Sequence, residues 1–513
     1  MSNSSKRSIL KGTLILTIAG FATRIIGFFY RILLSNSLGA EKMGVYQLVF
    51  PVYGICFTLF ASGIQTSISR LVAAQIGQYG CTDRKNINRI LRIGITCSLT
   101  IAFSLSGLVY LNSDLIATRF LAEPSCASLL RILSLAFPFC GITSCINGYY
   151  YGVKKTGVPA TTQLLEQCTR VLVVLFFAYY IGNGNTTITC ETAVLGLVAG
   201  EIVSNLFNIL SMVLKKQDDD VCSIQTPRTK HIFRELMKLA VPLTSNRLLV
   251  SVLNSIEAVL IPVMLRQAGL TTAESLSIYG ILTGMAMPFL MFPSTITNSF
   301  AVLLLPTISE AQATNNDALI EKTTALTIKY CLLIGILCTG VFVTFGDALG
   351  TTIYNNKMAG TFIVILAWLC PFLYLTTTLS SVINGLGKAY ITFINSVVGL
   401  TIRILFVIFA IPKFGIIGYL LGALLSQLVI SILDISAVRR NIKFHANLMD
   451  WIIKPGIITA VLSFFAFEVY DKVMITLPIH RAIVLFLTVL GFCIVYLFLL
   501  YLAKLFNPKE IKA

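Results

Sequence analysis

The sequence predicts an all-α polytopic membrane protein with about fourteen transmembrane helices, drawn as two parallel six-helix bundles plus two extra C-terminal helices. Three observations carry this: an extreme apolar composition, apolar runs of spanning length along the whole chain, and an internal repeat. The 513 residues are 56% hydrophobic and only 12% charged, with a mean hydropathy of +0.84, far from the balance of a soluble domain. Crossing about 30 Å of hydrocarbon takes roughly 20 helical residues. Runs of that length are placed at 10–37, 44–70, 87–111, 127–149, 159–182, 191–214, 236–265, 275–305, 320–346, 358–384, 390–411, 415–438, 451–470 and 480–505. Each is continuously apolar, whereas barrel strands alternate over about ten residues, so the spans are helices.

The net charge of +17 does not point to nucleic acid, because 26 of the 39 Lys and Arg residues fall on one side of this topology. That is the positive-inside pattern, and it predicts a multi-pass membrane protein with both termini in the cytoplasm. The first apolar stretch is interrupted by Arg24, runs on to Leu34 and lacks a small-x-small cleavage site, so it reads as a span and not as a cleaved signal. The 13 cysteines show no metal-ligand spacing and read mostly as small buried hydrophobes, with Cys81, Cys126, Cys190 and Cys222 in polar loops. Neither a metal nor a cofactor is called for. The "NTT" at Asn185 is a three-residue match of little specificity.

"INGYYYG" from Ile146 returns as "INGLGKA" from Ile383, an offset of 237, and "TRVLVVLFF" from Thr169 as "IRILFVIFA" from Ile402, an offset of 233. "EKMGVY" at Glu41 returns as "ESLSIY" at Glu274, and "SISR" at Ser67 resembles "TISE" at Thr307. Six spans per repeat restore the chain to its starting side, so the halves run parallel. The expected organisation is an N-terminal bundle at 1–214, a cytoplasmic linker at 215–235, a C-terminal bundle at 236–440 and two additional spans at 441–513.

Charges inside spans are the candidate functional residues. A charge at the bilayer centre costs about 2.5–3.5 kcal/mol on insertion scales, so such residues face an interior or a wet cavity. Arg24 and Arg31 are seven positions apart, which places them within about 20° on one helix face and roughly 10 Å apart along the axis. Gly20 and Gly27 lie near this stripe. Two readings stand for Arg31, a cavity-facing role or snorkelling to the outer interface. In the seventh span Arg247 shares a face with Ser251 and Asn254, with Glu257 to one side and Pro242 one turn before; the alternative is an internal Arg247–Glu257 or interhelical network. Glu166 and Arg170 have the spacing of an intrahelical pair, and Arg403 stands at the repeat position of Arg170 without a carboxylate four residues before it. Glu201 and Asp434 read either as partners of these arginines or as proton or cation sites. Pro51, Pro138, Pro288, Pro293 and Pro371 are expected to bend spans or to set static kinks.

The mid-membrane set is therefore Arg24, Arg31, Arg170, Arg247 and Arg403 against Glu166, Glu201 and Glu257. An arginine excess suits phosphate or carboxylate, because the guanidinium donates in a planar fork. The substrate-binding candidates are Arg24, Arg31, Arg247, Arg403 and Asn254; Glu166, Arg170, Glu201 and Glu257 are their charge partners.

The stretch "LKGTLILTIAGFATRIIGFFYRILLSNSLGAEKMGVYQLVFPVY", Leu10 to Tyr53, resembles the opening of the stage V sporulation protein B family, polysaccharide exporters of the multidrug/oligosaccharidyl-lipid/polysaccharide superfamily. Lys11, Gly12, Thr13, Thr23, Arg24, Gly27, Phe28, Arg31, Gly39, Gly44, Tyr46 and "SISRLVAAQ" from Ser67 carry it. The resemblance implies a flippase for lipid-linked saccharides, related to the lipid II flippases and acting in peptidoglycan or spore-cortex assembly. Its substrate would be an undecaprenyl-pyrophosphate oligosaccharide, its surroundings membrane lipid, and its partners cell-wall synthesis proteins. Arg24 matches the first arginine of the cationic cavity in lipid II flippases; Arg31 stands one position after the second. Alternating access with no covalent chemistry is the implied mechanism. The competing readings are a multidrug or cation antiporter of the same superfamily, which would want an acidic centre, and a membrane glycosyltransferase or acyltransferase, for which His231, His445 and His480 are too dispersed.

Overall fold

The structure is a computed structural model that describes residues 3–79, 84–181, 188–214, 229–442, 447–476 and 480–506. Most of the linker expected at 215–235, together with Cys81, Cys222 and Asn185, lies outside the described residues. The chain divides into two compact units, Met1–Val263 and Met264–Ala513.

The first unit begins with α1 (Asn3–Leu48), α2 (Phe50–Phe57) and α3 (Gly63–Tyr79), the last two joined by a π-helical turn at Thr58–Ser62. Then come α4 (Arg84–Leu111), the short α5 (Ser113–Leu115), α6 (Cys126–Ser134), α7 (Phe137–Gly152), α8 (Gly157–Ile181), α9 (Cys190–Val213) and α10 (Thr229–Gln267), whose last residues pass into the second unit. That unit continues with α11 (Thr272–Gly280), α12 (Met287–Met291), α13 (Ser294–Ala313), α14 (Asp317–Tyr354), α15 (Lys357–Leu366) and α16 (Cys370–Gly385). It ends with α17 (Ala389–Phe409), α18 (Ile411–Phe414), α19 (Ile416–Arg439), α20 (Lys454–Thr476) and α21 (Arg481–Leu502). No strand occurs among the described residues. The protein is an all-α polytopic membrane protein.

Among the described residues ten helical stretches are long and apolar enough to cross a bilayer, or twelve when two bent helix pairs are each taken as one span. The difference from fourteen lies in two places. Ile18–Ile76 is counted as a single stretch although its 59 residues exceed one crossing severalfold, and the charged α8 is not counted. Within the first of these, α1 breaks at Gly39, whose φ of 76° is a left-handed conformation that glycine adopts without a Cβ clash.

The prolines expected to bend spans or set kinks sit at helix starts. Pro51, Pro138, Pro288 and Pro371 occupy the first turns of α2, α7, α12 and α16, and Pro293 caps α13. The first turn has N–H groups with no intrahelical acceptor, so proline loses nothing there and its fixed φ starts the helix. The bends fall beside them, 46° between α6 and α7 and 58° between α12 and α13. Pro242 and Pro262 do lie inside α10.

The first unit closes on Ile64, Ile68, Val72, Ile87, Leu91, Ile232 and Leu236 from α3, α4 and α10, the second on Ile308, Leu375, Leu379, Val382 and Val438 from α13, α16 and α19. Outside, Phe464, Phe465 and Phe467 of α20 and Phe486 and Phe498 of α21 are all exposed, the surface that hydrocarbon solvates. Eleven described cysteines are free; eight are buried and Cys168 on α8 is exposed. Cys126 and Cys190, expected in polar loops, begin α6 and α9 and donate to the carbonyls of Val45, at 3.7 Å, and Lys42, at 3.3 Å.

The repeat reappears in the contacts. A Cβ on Gly148 of α7 would lie 2.6 Å from the carbonyl oxygen of Gln65 on α3, and one on Gly385 of α16 would lie 3.2 Å from that of Leu305 on α13. These glycines are separated by the same 237 residues as the "ING" matches. Likewise Gly196 of α9 packs against Arg170 and Val174 of α8, and Gly422 of α19 against Phe406 of α17. That pairing sets the α9-to-α19 offset at 226 residues and aligns "LGLVAGEIVSNLFN" with "LGALLSQLVISILD".

Candidate functional site

On α1 the buried side is made by Ala19, Tyr30 and Leu34, while Arg24, Arg31, Ile18, Phe21 and Phe29 are exposed. The apolar members of the exposed set suit lipid, and the arginines flank them on one edge, as their seven-residue spacing requires. Among the described residues Arg24 has no ion-pair partner. Of the two glycines on this side, Gly20 has open space where a Cβ would be, whereas a Cβ on Gly27 would lie 2.8 Å from Gln167 Nε2 of α8.

Arg247 of α10 is held by the π-helical turn and the start of α3. Its Nη1 donates to the carbonyl of Ser62 at 2.7 Å, to Ser62 Oγ at 2.6 Å and to Thr66 Oγ1 at 3.1 Å. The same face of α10 continues to Ser255, which donates to the carbonyl of Pro51 at 3.0 Å. Of the sequence-based alternatives for Arg247, the geometry is thus an interhelical network. Sequence reasoning missed Ser62 and Thr66; the only trace was the small polar run "SGIQTS" in an otherwise apolar span. Asn254 is exposed and donates within its own helix, to the carbonyl of Val250 at 2.9 Å. Glu257 is buried.

Glu166 and Arg170 form the pair their spacing predicts, Nη2 to Oε1 at 2.6 Å. Glu201 of α9 is buried close to this pair and meets Tyr53 and Cys140, which lie 3.5 Å apart. The first unit therefore gathers two carboxylates and one guanidinium, with Tyr30 and Tyr46 near Arg170 and Tyr53 near Glu201. Glycine makes this possible: a Cβ on Gly200 would lie 2.8 Å from the carbonyl oxygen of Glu166, and one on Gly196 would lie 2.9 Å from that of Arg170. Arg403, half-buried on α17, belongs to the second unit. Among the described residues no cluster of His, Cys, Asp and Glu has the makings of a metal site.

Residues 9–312, more than half of the chain, match the polysaccharide biosynthesis protein family. The chain belongs to this family. Stage V sporulation protein B of Bacillus subtilis (strain 168), to which the chain is similar, is 26% identical over 99% of this chain and 98% of that protein. The lipid II flippase MurJ of the same organism is 22% identical, covering 89% of this chain and 86% of that one. A solved structure of a lipid II flippase MurJ in an inward closed conformation matches with a TM-score of 0.70 at 15% identity, over 94% of this chain and 98% of that chain. That likeness establishes the fold, and the family resemblance read from Leu10 to Tyr53 is shown by the family match.

Proposed function

We propose that this chain is a flippase that moves a lipid-linked, undecaprenyl-pyrophosphate saccharide precursor across the bacterial cytoplasmic membrane by alternating access, for peptidoglycan or spore-cortex assembly. One observation carries the reading: Arg24 is exposed on a membrane-spanning helix with no ion-pair partner among the described residues. A guanidinium facing hydrocarbon is unfavourable by about 2.5–3.5 kcal/mol, so the position is stable only where water or an anion meets it. Pyrophosphate oxygens match the guanidinium fork, and Arg31 two turns on extends the contact along the head group. Arg247, fixed by Ser62 and Thr66, is a third donor and Asn254 a further polar candidate, with Glu166, Arg170, Glu201 and Glu257 as charge partners; Arg403 is the corresponding candidate of the second unit. Translocation breaks no covalent bond, so the reading needs neither a catalytic residue nor a cofactor. The names of two relatives, a sporulation protein and a lipid II flippase, support the cargo and the process. On this reading the partners are cell-wall synthesis proteins and both termini lie in the cytoplasm.

The test is native mass spectrometry of the purified chain with lipid II. Wild type should retain the lipid, Arg24→Ala should lose it at least tenfold, and Arg24→Lys should recover part of it, because an ammonium supplies charge without the fork. Equal retention by wild type and Arg24→Ala would remove Arg24 from the site. Failure of the wild type to hold lipid II or another undecaprenyl-pyrophosphate saccharide would shift the reading to an antiporter.

A further inference from the structure

The repeat brings four further side chains into register. In the first unit Thr162 Oγ1 on α8 donates to Asn208 Oδ1 on α9 at 2.7 Å. In the second, Asn395 Nδ2 on α17 donates to Asp434 Oδ1 on α19 at 2.8 Å. These are the same contact, since Thr162 and Asn395 are 233 residues apart, as are Arg170 and Arg403, and Asn208 and Asp434 are 226 apart, as are Gly196 and Gly422. Both acceptors are fully enclosed, Asn208 at 0% and Asp434 at 1% exposure. In both the second polar atom, Asn208 Nδ2 and Asp434 Oδ2, is buried without a hydrogen-bond partner. The second unit thus places a carboxyl in a pocket that, in the first unit, holds an amide.

The surroundings decide which form of the carboxyl fits. Asn395 is its one hydrogen-bond partner among the described residues, and Leu379, Val382 and Val438 belong to the apolar cluster at this end of α16 and α19. Lys388, which caps α17, and Arg403 on it lie seven and eight residues from Asn395, roughly 10 Å or more along the helix, and Lys388 is engaged by Asn441. Lys357 on α15 and Lys413 on α18 belong to the opposite ends of their spans, and Arg439 and Arg440 end α19 itself. The remaining titratable groups are Cys370 and Tyr374 on α16, Tyr390 on α17 and Tyr419 on α19, none of which hydrogen-bonds Asp434. An ionised carboxylate with a single neutral donor in such a place is far more unfavourable than a neutral acid, which matches the shape and neutrality of Asn208.

We propose that Asp434 is a proton-binding site: its carboxyl holds a proton where the first unit has an amide, and release of that proton puts an uncompensated charge between α17 and α19. Proton occupancy then sets how tightly these two helices pack. The inference does not depend on the cargo assigned above.

Infrared difference spectroscopy on the purified full-length chain tests it. At neutral pH wild type should show a protonated-carboxyl carbonyl band that Asp434→Asn lacks and that moves in deuterated water. Wild type grown with 13C-labelled aspartate should shift the same band, which separates it from Glu201 and Glu257 and requires no variant to fold. A second readout is thermal unfolding against pH. The folded chain holds a proton that the unfolded chain releases, so wild type loses stability as pH rises while Asp434→Asn, which keeps the Asn395 contact, loses less. No aspartate-sensitive carboxyl band in wild type at neutral pH, or equal pH dependence in the two chains, would overturn the proposal.

Discussion

The α8–α9 pair of the first unit and the α17–α19 pair of the second solve one packing problem with the residues exchanged. In the first, Gly200 on α9 lets the carbonyl of Glu166 approach. In the second, the glycine has changed sides: Gly399 stands at the repeat position of Glu166, and Ser426, at the position of Gly200, donates to the carbonyl of Gly399 at 2.8 Å. At a close helix crossing one partner must be small, and the choice of partner is free. Charge changes with that choice. Glu166 can pair with Arg170, whereas Gly399 offers Arg403 nothing at the same spacing. The acids are exchanged too: Glu201 corresponds to Gln427, which donates to Thr376 Oγ1 at 2.7 Å, and Asn208 corresponds to Asp434. The repeat therefore preserves backbone approach and hydrogen-bond register while moving the buried acid by seven residues, roughly 10 Å along the helix.

The largest effect expected from breaking this arrangement is at Glu166→Gln, which removes the negative charge facing the largely buried Arg170 guanidinium at 2.6 Å. A loss of about 3 kcal/mol is expected from unfolding titrations in detergent; an unchanged midpoint would mean that Glu201 alone balances Arg170. Next comes Gly200→Ala, whose new Cβ would meet backbone at 2.8 Å and should destabilise by about 2 kcal/mol. Gly399→Ala sharpens the comparison, because its Cβ meets the flexible end of Ile430; roughly half the loss of Gly200→Ala is expected. Equal losses would show that the two crossings are alike in rigidity. Ser426→Ala removes one interhelical donor and should lower stability least, by about 0.6 kcal/mol in the same titration.

Much of this was legible in the sequence because it is local or periodic. Spanning length reveals the helices, the spacing of four the Glu166–Arg170 pair, and the spacing of seven the shared edge of Arg24 and Arg31. What could not be read depends on which helices touch. Nothing local ties Arg247 to Ser62, 185 residues away, or Glu201 to Tyr53 and Cys140. The prolines marked the bends beside α7 and α13, but an apolar run does not show where one helix stops and the next begins, so their places in the first turns of helices were not legible. The break at Gly39, by contrast, was legible, because Glu41 and Lys42 interrupt the apolar run there and separate 10–37 from 44–70.

The exposed thiol of Cys168 gives α8 a chemical handle. It lies beside Gln167, which sits against Gly27 of α1, and two residues from Glu166 and Arg170. Eight of the other described cysteines are enclosed, and thiol reagents attack the thiolate, which forms in water and not in hydrocarbon. Once Cys81, Cys97, Cys222 and Cys493 are replaced by serine, the rate at which a water-soluble maleimide modifies the chain becomes a gauge of how wet that face of α8 is, and a change in that rate on adding a lipid-linked saccharide would report that lipid at α8 without any introduced probe site.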